Sequence, residues 1–244
     1  MSKPVVVLDP GHGGYDPGAV AYGLREKELN LKLALKVAGK LSGVKVLLTR
    51  ESDVFVSLVD RVAFSRRAEP DLFLSLHANA GGGRGFESFI CSRAGADSRA
   101  FEMQGFMHGK IIEALEPWAI IDRGLKKAAF YVLRHNPHPA VLIESLFIDN
   151  EREAGLWRDP VFVETLADGV VSGIEAALEL PAGSTKPEDT GGEAAPGAGA
   201  AIAPGTTLYT VQVGAFAYIE NARMRLDEAR MAGFEDAFIY QKRF

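Results

Sequence analysis

Residues 5–14 read VVVLDPGHGG, an apolar run that breaks into a glycine-rich loop. Three of its first four residues are β-branched, which is typical of a fully buried strand. Pro10 disfavours helix for the residue before it and Gly11 tolerates strained backbone angles, so the strand ends in a tight loop. His12 therefore follows the carboxyl end of a buried strand, where open α/β sheets place their ligands.

The loop at residues 11–14 has two functional interpretations. Its glycines could cradle a phosphate, or His12 could be a metal ligand or an acid–base group. A dinucleotide fingerprint would need glycine at position 16, which is Asp16, and no Gly-Lys-Ser/Thr tripeptide of a P-loop follows. Asp9 and Asp16 place negative charge on both sides of the loop, which disfavours a phosphate and suits a cation. A turn that merely contains histidine stays open until partners are found.

Composition limits the classes of partner. The chain has 244 residues and a net charge of −5, which argues against nucleic acid and against attraction to anionic membranes. No apolar run approaches the roughly 20 residues that span a bilayer, and no signal peptide is visible before the first strand. Cys91 is the single cysteine, so an intrachain disulfide is excluded.

Apolar strands alternate with amphipathic helices through the first 180 residues. Leu29, Leu33, Val37 and Leu41 recur every four residues and predict a helix with one buried face. Further strands are expected at 44–49, 71–77, 86–90 and 141–144, and further helices at 60–67, 98–115 and 160–180. The alternation predicts an α/β fold, with a twisted, mostly parallel or mixed sheet flanked by helices on both faces.

The composition changes at Pro181. Residues 181–207 are rich in proline, glycine and alanine, which predicts a flexible linker between a first domain at 1–180 and a tail. Residues 208–244 read as strand, helix and strand. This short C-terminal β-α-β half-domain falls below the roughly 40 residues at which domains usually need outside help to fold.

Four residues that can bind a metal or move a proton share one kind of position. His12, His77 and Glu144 each follow or end an apolar strand, and Glu26 begins the first helix. Two histidines and a carboxylate are a common catalytic zinc shell, and a further carboxylate can serve as general base. Simpler roles exist, namely hydrogen-bonded loop histidines and a carboxylate at a helix N-terminus. The shared placement favours the metal site.

The remaining histidines are weaker candidates. His108 lies within a predicted helix, where we expect a surface or core-edge position. His135 and His138 flank prolines in a loop before the strand that carries Glu144. One of these two could line the cleft, but nothing in the pattern assigns either to the site.

Five segments in order resemble the zinc-dependent N-acetylmuramoyl-L-alanine amidases of the amidase 3 type. They are LDPGHGGYDPGA, GLREKELNL, LVDRVAFS, DLFLSLHANA and VLIESLFIDN, and they span positions 8–150. The resemblance implies that His12, Glu26 and His77 bind one zinc ion and that Glu144 is catalytic. It thereby makes residues 1–180 the zinc amidase catalytic domain.

The resemblance also separates two neighbouring glutamates that their spacing in the sequence could not separate. It prefers Glu26 to its neighbour Glu28 as the ligand. One departure is Leu146, two places after the catalytic glutamate, where many relatives have a small residue. We expect this difference to alter the local substrate wall rather than the chemistry.

The activity implied by the resemblance is that of a cell-wall autolysin. Zinc-assisted hydrolysis would cleave the amide between N-acetylmuramic acid and L-alanine, so peptidoglycan is the expected partner. Glu144 would take the proton of the attacking water and hand it to the leaving amine. Two alternatives stay open: a zinc peptidase with another substrate, and a non-catalytic wall-binding or regulatory protein.

The tail carries a second resemblance. Residues 208–216, LYTVQVGAF, followed by Asn221 and Ala222, look like the opening of a SPOR domain, a class that binds glycan strands stripped of peptides. This partial domain is expected either to bind denuded glycan, completed by another copy, or to be a remnant without binding. The arrangement resembles amidases of mother-cell lysis in sporulation. It implies action at the cell wall, after storage in the mother-cell cytoplasm until lysis.

Overall fold

A computed structural model of the chain describes residues 3–180. The predicted linker at 181–207 and the predicted half-domain at 208–244 lie outside the described residues. In chain order the elements are β1 (Val5–Pro10), β2 (Val20–Ala21), β3 (Leu24–Arg25), α1 (Glu26–Lys40), β4 (Lys45–Leu48), α2 (Leu58–Ala68), β5 (Leu72–Asn79), β6 (Phe86–Cys91), α3 (Arg99–Leu115), β7 (Asp122–Ala128), α4 (Tyr131–Arg134), β8 (Ala140–Phe147), α5 (Glu151–Arg158) and α6 (Pro160–Ala177).

The main sheet has six strands in the order β4-β1-β5-β8-β6-β7. Neighbouring strands are parallel except β6 and β8, which are antiparallel. β2 and β3 form a separate antiparallel ribbon ahead of α1. The predicted mixed sheet is therefore confirmed. Its central strands are buried on both faces, which explains why β1, β5 and β8 read as continuous apolar runs.

Helices cover both faces of the sheet, as predicted. α1, α6 and α3 pack together on one face, and α2 and α4 lie on the other. The apolar side of α6, formed by Phe162, Leu166, Val170 and Ile174, is fully buried. Gly173 of α6 lets the backbone of α3 come close, because an added Cβ would lie 2.9 Å from Met107 Cα. Among residues 3–180, no helix combines the length and apolar character needed to cross a membrane.

The topology brings the carboxyl ends of β1, β5 and β8 to one edge of the sheet. Pro10 at the end of β1 is paired with Leu76 of β5, and the next residue of β5, His77, is paired with Glu144 of β8. A β-bulge follows between His77 and Asn79. The residues predicted to carry chemistry therefore meet where three neighbouring parallel strands end.

Candidate metal centre

Three side chains predicted as metal ligands converge at this edge. One ligand atom from each of His12, Glu26 and His77 lies within 4.8 Å of the others. Glu26 Oε1 is 3.2 Å from His12 Nε2 and 2.9 Å from His77 Nδ1. The two imidazole rings meet edge to face, with centroids 5.1 Å apart. Residues from a loop, a helix and a strand thus present two nitrogens and one carboxylate to one point.

The backbone of His12 is in the left-handed region, with φ of 61°. This conformation is uncommon for residues other than glycine and often occurs at functional sites. The other ring nitrogen, Nδ1, is 2.9 Å from Asp16 Oδ2. A carboxylate in that position holds the Nδ1 proton and leaves Nε2 free to bind a metal. Asp16, which the sequence analysis connected only with negative charge around the loop, therefore orients the ring.

Two buried arginines hold the carbonyl groups of the loop. Arg61 donates to the carbonyls of Pro10 at 2.7 Å and His12 at 2.7 Å, and to Asp9 Oδ1 at 2.6 Å. Arg50 donates to Pro10 O at 3.0 Å and to Gly11 O at 2.9 Å. Neither arginine was predicted from the sequence as a site residue. Arg61 lies within a segment quoted for the family resemblance, but its burial depends on tertiary packing that the pattern does not display.

Two glycines make room for the ligands. A Cβ at Gly11 would overlap the ring of His77. A Cβ at Gly18 would lie 2.6 Å from Glu26 Oε2 and 2.7 Å from His12 Cδ2. The ligand side chains therefore occupy space that only glycine leaves open, as expected of a built metal site.

Glu26 is buried at the start of α1 and is fixed by its neighbours. Ala19 N–H donates to Oε2 at 2.9 Å, and Asn30 Nδ2 donates to Oε1 at 3.4 Å. Burial alone would raise the pKa of Glu26, but hydrogen bonds from the two histidines hold it far below its usual range. Glu28, by contrast, is half exposed and pairs with Arg25 at 2.6 Å. The geometry thus agrees with the preference for Glu26.

The electrostatics of the cluster suit a cation. Burial would lower the pKa of His12, but hydrogen bonds and negative charge from Glu26 and Asp16 outweigh it and raise the pKa to about 9. The pKa of His77 is also raised, because the hydrogen bond to Glu26 and the charge of Glu144 outweigh burial. The surrounding carboxylates therefore favour positive charge at both rings. Two imidazoles and one ionised carboxylate are a donor set that fits zinc.

Glu144 lies beside this cluster on β8. It is the register partner of His77, so both side chains project from the same face of the sheet. Its Oε2 is buried and has no hydrogen-bond partner within residues 3–180. Burial raises its pKa to about 7, although the positive charge of His77 acts in the opposite direction. A carboxyl group that titrates near neutrality can both accept and donate a proton.

A cavity of about 440 Å³ opens beside His12, His77 and Glu144. Much of the rest of the cavity lining is apolar. This apolar part consists of Phe55, Val56, Leu58, Phe130, Tyr131, Val132 and Leu142. The side chains that can bind a metal and move a proton therefore border an open space with an apolar wall.

The remaining histidines lie outside the cluster. His108 is 4% exposed, which excludes the surface position and leaves the core-edge position among the two that were expected. Its Nδ1 is 2.9 Å from Ser88 Oγ and its Nε2 is 2.8 Å from Asp122 Oδ1. These two hydrogen bonds connect α3 to strands β6 and β7 of the sheet. Ser88 is fully buried, so the serine, histidine and aspartate do not form a nucleophilic site. His135 stacks on Tyr131, a cavity residue, with centroids 4.3 Å apart.

Leu146, where an altered substrate wall was expected, is not among the residues that line the cavity. Its side chain is fully buried and its φ is 63°. The left-handed residue coincides with the bulge that interrupts the pairing of β5 and β8. Leu146 thus packs into the core while the backbone turns just after Glu144.

Comparisons with known proteins point to one family. The family model described as N-acetylmuramoyl-L-alanine amidase, Amidase_3, matches residues 6–176. The chain is 38% identical over 234 residues to the sporulation-specific N-acetylmuramoyl-L-alanine amidase of Bacillus subtilis (strain 168), covering 94% of this chain and 82% of the relative. It is 44% identical over 184 residues to an endolysin of Bacillus phage SPP1, covering 74% of this chain and 68% of the relative.

Solved structures agree with the sequence comparisons. An N-acetylmuramoyl-L-alanine amidase from Clostridium difficile 630 superposes with a TM-score of 0.68 at 30% identity, covering 73% of this chain and 98% of that chain. The catalytic domain of an N-acetylmuramoyl-L-alanine amidase from Bacillus (Paenibacillus) polymyxa var. colistinus superposes with a TM-score of 0.66 at 32% identity. The match covers 73% of this chain and 99% of that chain. The chain belongs to the Amidase_3 family of N-acetylmuramoyl-L-alanine amidases.

Proposed function

We propose that this chain is a zinc-dependent N-acetylmuramoyl-L-alanine amidase that hydrolyses the amide bond between N-acetylmuramic acid and L-alanine in bacterial peptidoglycan. Membership of the family supports the reaction. The observation that carries the proposal is the convergence of His12, Glu26 and His77 beside the buried carboxyl group of Glu144. The complete set argues against a non-catalytic wall-binding protein.

His12, Glu26 and His77 would hold the zinc ion through the three atoms that already face one another. Two nitrogens and one oxygen leave a coordination position open, as in catalytic rather than structural zinc sites. When bound, zinc supplies Lewis-acid chemistry, polarising the amide carbonyl and lowering the pKa of a water molecule. Asp16 keeps the His12 ring in the required orientation through Nδ1.

Glu144 acts as the general base and then as the general acid. Its unpartnered Oε2 accepts a proton from water as the water oxygen bonds to the amide carbon. The carbon–nitrogen bond then breaks, and Glu144 delivers the same proton to the leaving nitrogen of L-alanine. The products are a free lactyl carboxylate on the sugar and a peptide with a free amino terminus.

The tail and the place of action extend the proposal. We infer that residues 181–207 link the catalytic domain, residues 1–180, to a partial SPOR domain at 208–244 that binds denuded glycan. The match to the sporulation-specific amidase covers 94% of the chain and so reaches beyond residue 180. This similarity supports action at the cell wall during mother-cell lysis. Loss of binding to peptide-free glycan strands on removal of 208–244 would test the tail.

The decisive experiment is digestion of purified peptidoglycan with and without a chelator, followed by mass analysis of the products. We expect peptides with a new amino-terminal alanine and glycan with an intact lactyl group. The chelator should stop the reaction and added zinc should restore it. Cleavage within the peptide would instead identify a zinc peptidase, and an absence of products would contradict enzymatic activity.

A further inference from the structure

A row of polar side chains continues from the metal centre across the sheet. His77 is paired with Glu144, and Glu144 is in turn paired with Glu87 of the antiparallel strand β6. Register partners project from the same face. The neighbouring Ser88 bonds to His108 on the α3 side, so Glu87 faces the side of the sheet that carries Glu144 and the cavity. The row therefore leads away from the metal centre towards β7.

Two cations from β7 meet Glu87. Arg123 donates from Nε to Glu87 Oε2 at 2.7 Å, and Lys126 Nζ donates to the same oxygen. Asn79 donates to Glu87 Oε1 at 2.7 Å. Glu87 is 6% exposed, whereas about a third of each cationic side chain is exposed. Two cations share one carboxylate, so this basic pair, Arg123 and Lys126, retains a net positive charge at the surface.

The two members of the basic pair are held differently. Arg123 also donates to Arg84 O at 3.3 Å and lies over the ring of Phe147, 4.8 Å from its centroid. These contacts fix its guanidinium. Lys126 contacts Glu87 and lies 5.8 Å from the centroid of Phe89. Since one cation is enough to neutralise Glu87, the second is available to an anion from solution.

The surroundings of Glu144 therefore differ on its two sides. One side is the apolar cavity wall that includes Phe55 and Tyr131, and the other is the basic pair. The substrate has a matching asymmetry, because the sugar is uncharged and its ring faces can pack on aromatic rings, whereas the stem peptide carries carboxylates. Charge complementarity would favour a peptide lying across β6 and β7.

The distances allow this arrangement. Neighbouring strands lie about 4.8 Å apart, so β7 lies roughly 10 Å from β8, which carries Glu144. An extended peptide advances about 3.5 Å per residue. A carboxylate on the second residue after the scissile bond would thus lie about 7 Å from the reacting nitrogen, within reach of a flexible lysine on β7.

We propose that Lys126, held beside Arg123 by Glu87, binds a carboxylate of the stem peptide on the leaving-amine side of the scissile bond. This inference rests on the proposed function and adds the direction in which the substrate lies. The sugar packs against the cavity wall and the peptide crosses β6 towards the basic pair. Lys126 is thus a specificity-determining residue.

The test uses the zinc-loaded full chain and two N-acetylmuramoyl peptides. They differ only in whether the acidic residue after L-alanine has a free carboxylate or a carboxamide. We expect wild type to prefer the carboxylate. Lys126→Gln should lower kcat/KM for the carboxylate peptide about tenfold, the effect of one charge-assisted hydrogen bond at a partly exposed site, and leave kcat/KM for the carboxamide peptide unaffected. Lys126→Arg should restore most of the preference.

Lys127→Gln is the matched control. Lys127 is the next residue of β7 but donates to Ala94 O at 2.7 Å, away from Glu87, so both peptides should be cleaved as by wild type. An equal loss on both peptides in Lys126→Gln, or an unchanged preference for the carboxylate, would overturn the inference. Melting temperatures of the variants identify a folding defect, which would affect both peptides alike. If wild type cleaves neither peptide nor polymeric peptidoglycan, the proposed function itself fails.

Discussion

His77 and Glu144 are register partners on the adjacent parallel strands β5 and β8, so a proposed metal ligand and the proposed proton carrier project side by side. This relationship separates metal binding from proton transfer. We expect Glu144→Gln to keep its zinc but to lose about 100- to 10,000-fold in turnover, since that is the usual contribution of a general base. Metal content and release of amino-terminal alanine should be measured on the same sample. Near-normal turnover would exclude Glu144 from proton transfer.

Removing a ligand should differ from removing Glu144 in its effect on zinc. His12→Ala and His77→Ala each take one nitrogen from the three atoms that converge on one point, so we expect both variants to lose zinc as well as activity. Metal analysis after dialysis against a weak chelator measures the loss of zinc. His138→Ala, outside the cluster, serves as the control and should retain zinc. Full zinc occupancy in either ligand variant would remove that histidine from the ligand set.

Zinc and protons should compete for His12. In the metal-free chain the carboxylates of Glu26 and Asp16 overcome the effect of burial and raise the pKa of His12 from 6.5 to about 9. Its protonated form stabilises the metal-free fold fully below pH 6.5, and this contribution is lost as the pH rises through 9. Since zinc needs the deprotonated ring, we expect its affinity to rise with pH across this interval, with release of protons on binding. Calorimetric titrations in buffers of different ionisation enthalpy would measure the number of protons released. A zinc affinity that does not change with pH would contradict the prediction.

Gly11 should be intolerant of a methyl group for a reason specific to the site. The added Cβ of Gly11→Ala overlaps the ring of His77, so we expect displacement of the ligand and loss of zinc. Gly39→Ala is the matched control. Gly39 lies in α1 with nothing within 4 Å of an added Cβ, and alanine should stabilise the helix by up to about 1 kcal/mol. Zinc content and urea denaturation of both variants are the measurements, and a zinc-replete Gly11→Ala would contradict the predicted clash.

Acid should weaken the fold through Asp9. Burial would raise the pKa of Asp9, but the positive charge of Arg61 and hydrogen bonds from Thr49, Arg61 and Ser75 hold it below its ordinary value of 3.8. The ionised pair therefore stabilises the fold above pH 3.8, and this contribution is lost as the pH falls through the lowered value. We expect Asp9→Asn to cost about 3–5 kcal/mol at pH 7, because Arg61 stays buried without its charge partner.

The free energy of unfolding by urea, measured from pH 7 down to pH 3, checks this prediction. The difference between wild type and Asp9→Asn should narrow only at the acid end. A constant difference across the whole range would show that the Asp9 charge does not contribute. Asp97→Asn, in an exposed loop, should leave the curve unchanged and serves as the control.

The buried strands could be predicted from sequence because their surroundings are uniformly apolar. β1, β5 and β8 lie in the middle of the sheet, and their apolar runs directly reflect that burial. β7 could not be found in this way. It is one of the two edge strands, its residues are exposed or half-buried, and it carries Asp122, Arg123, Lys126 and Lys127. The four residues of α4 are too few to display a helical period.

The candidate site, like the fold, could be predicted from the sequence only in part. The ligand residues end strands or begin a helix, and these are local signals. The arginines that support the loop gave no such signal, since Arg50 and Arg61 reach Pro10 across 40 and 51 positions of the chain. The burial of His108 likewise depends on Asp122 and Ser88, which belong to two different strands. Long-range hydrogen bonding is invisible in a local pattern.

The position of β8 has a consequence for synthesis. This strand joins β5 to β6, so β4-β1-β5 on one side and β6-β7 on the other, all made earlier, become one sheet only when it arrives. Glu144 is delivered by the same strand. A nascent chain that has not yet reached residue 140 can hold His12, Glu26 and His77, yet it lacks both the centre of the sheet and the proton carrier. The two halves of the sheet are therefore joined at the same step of synthesis that supplies the proposed proton carrier.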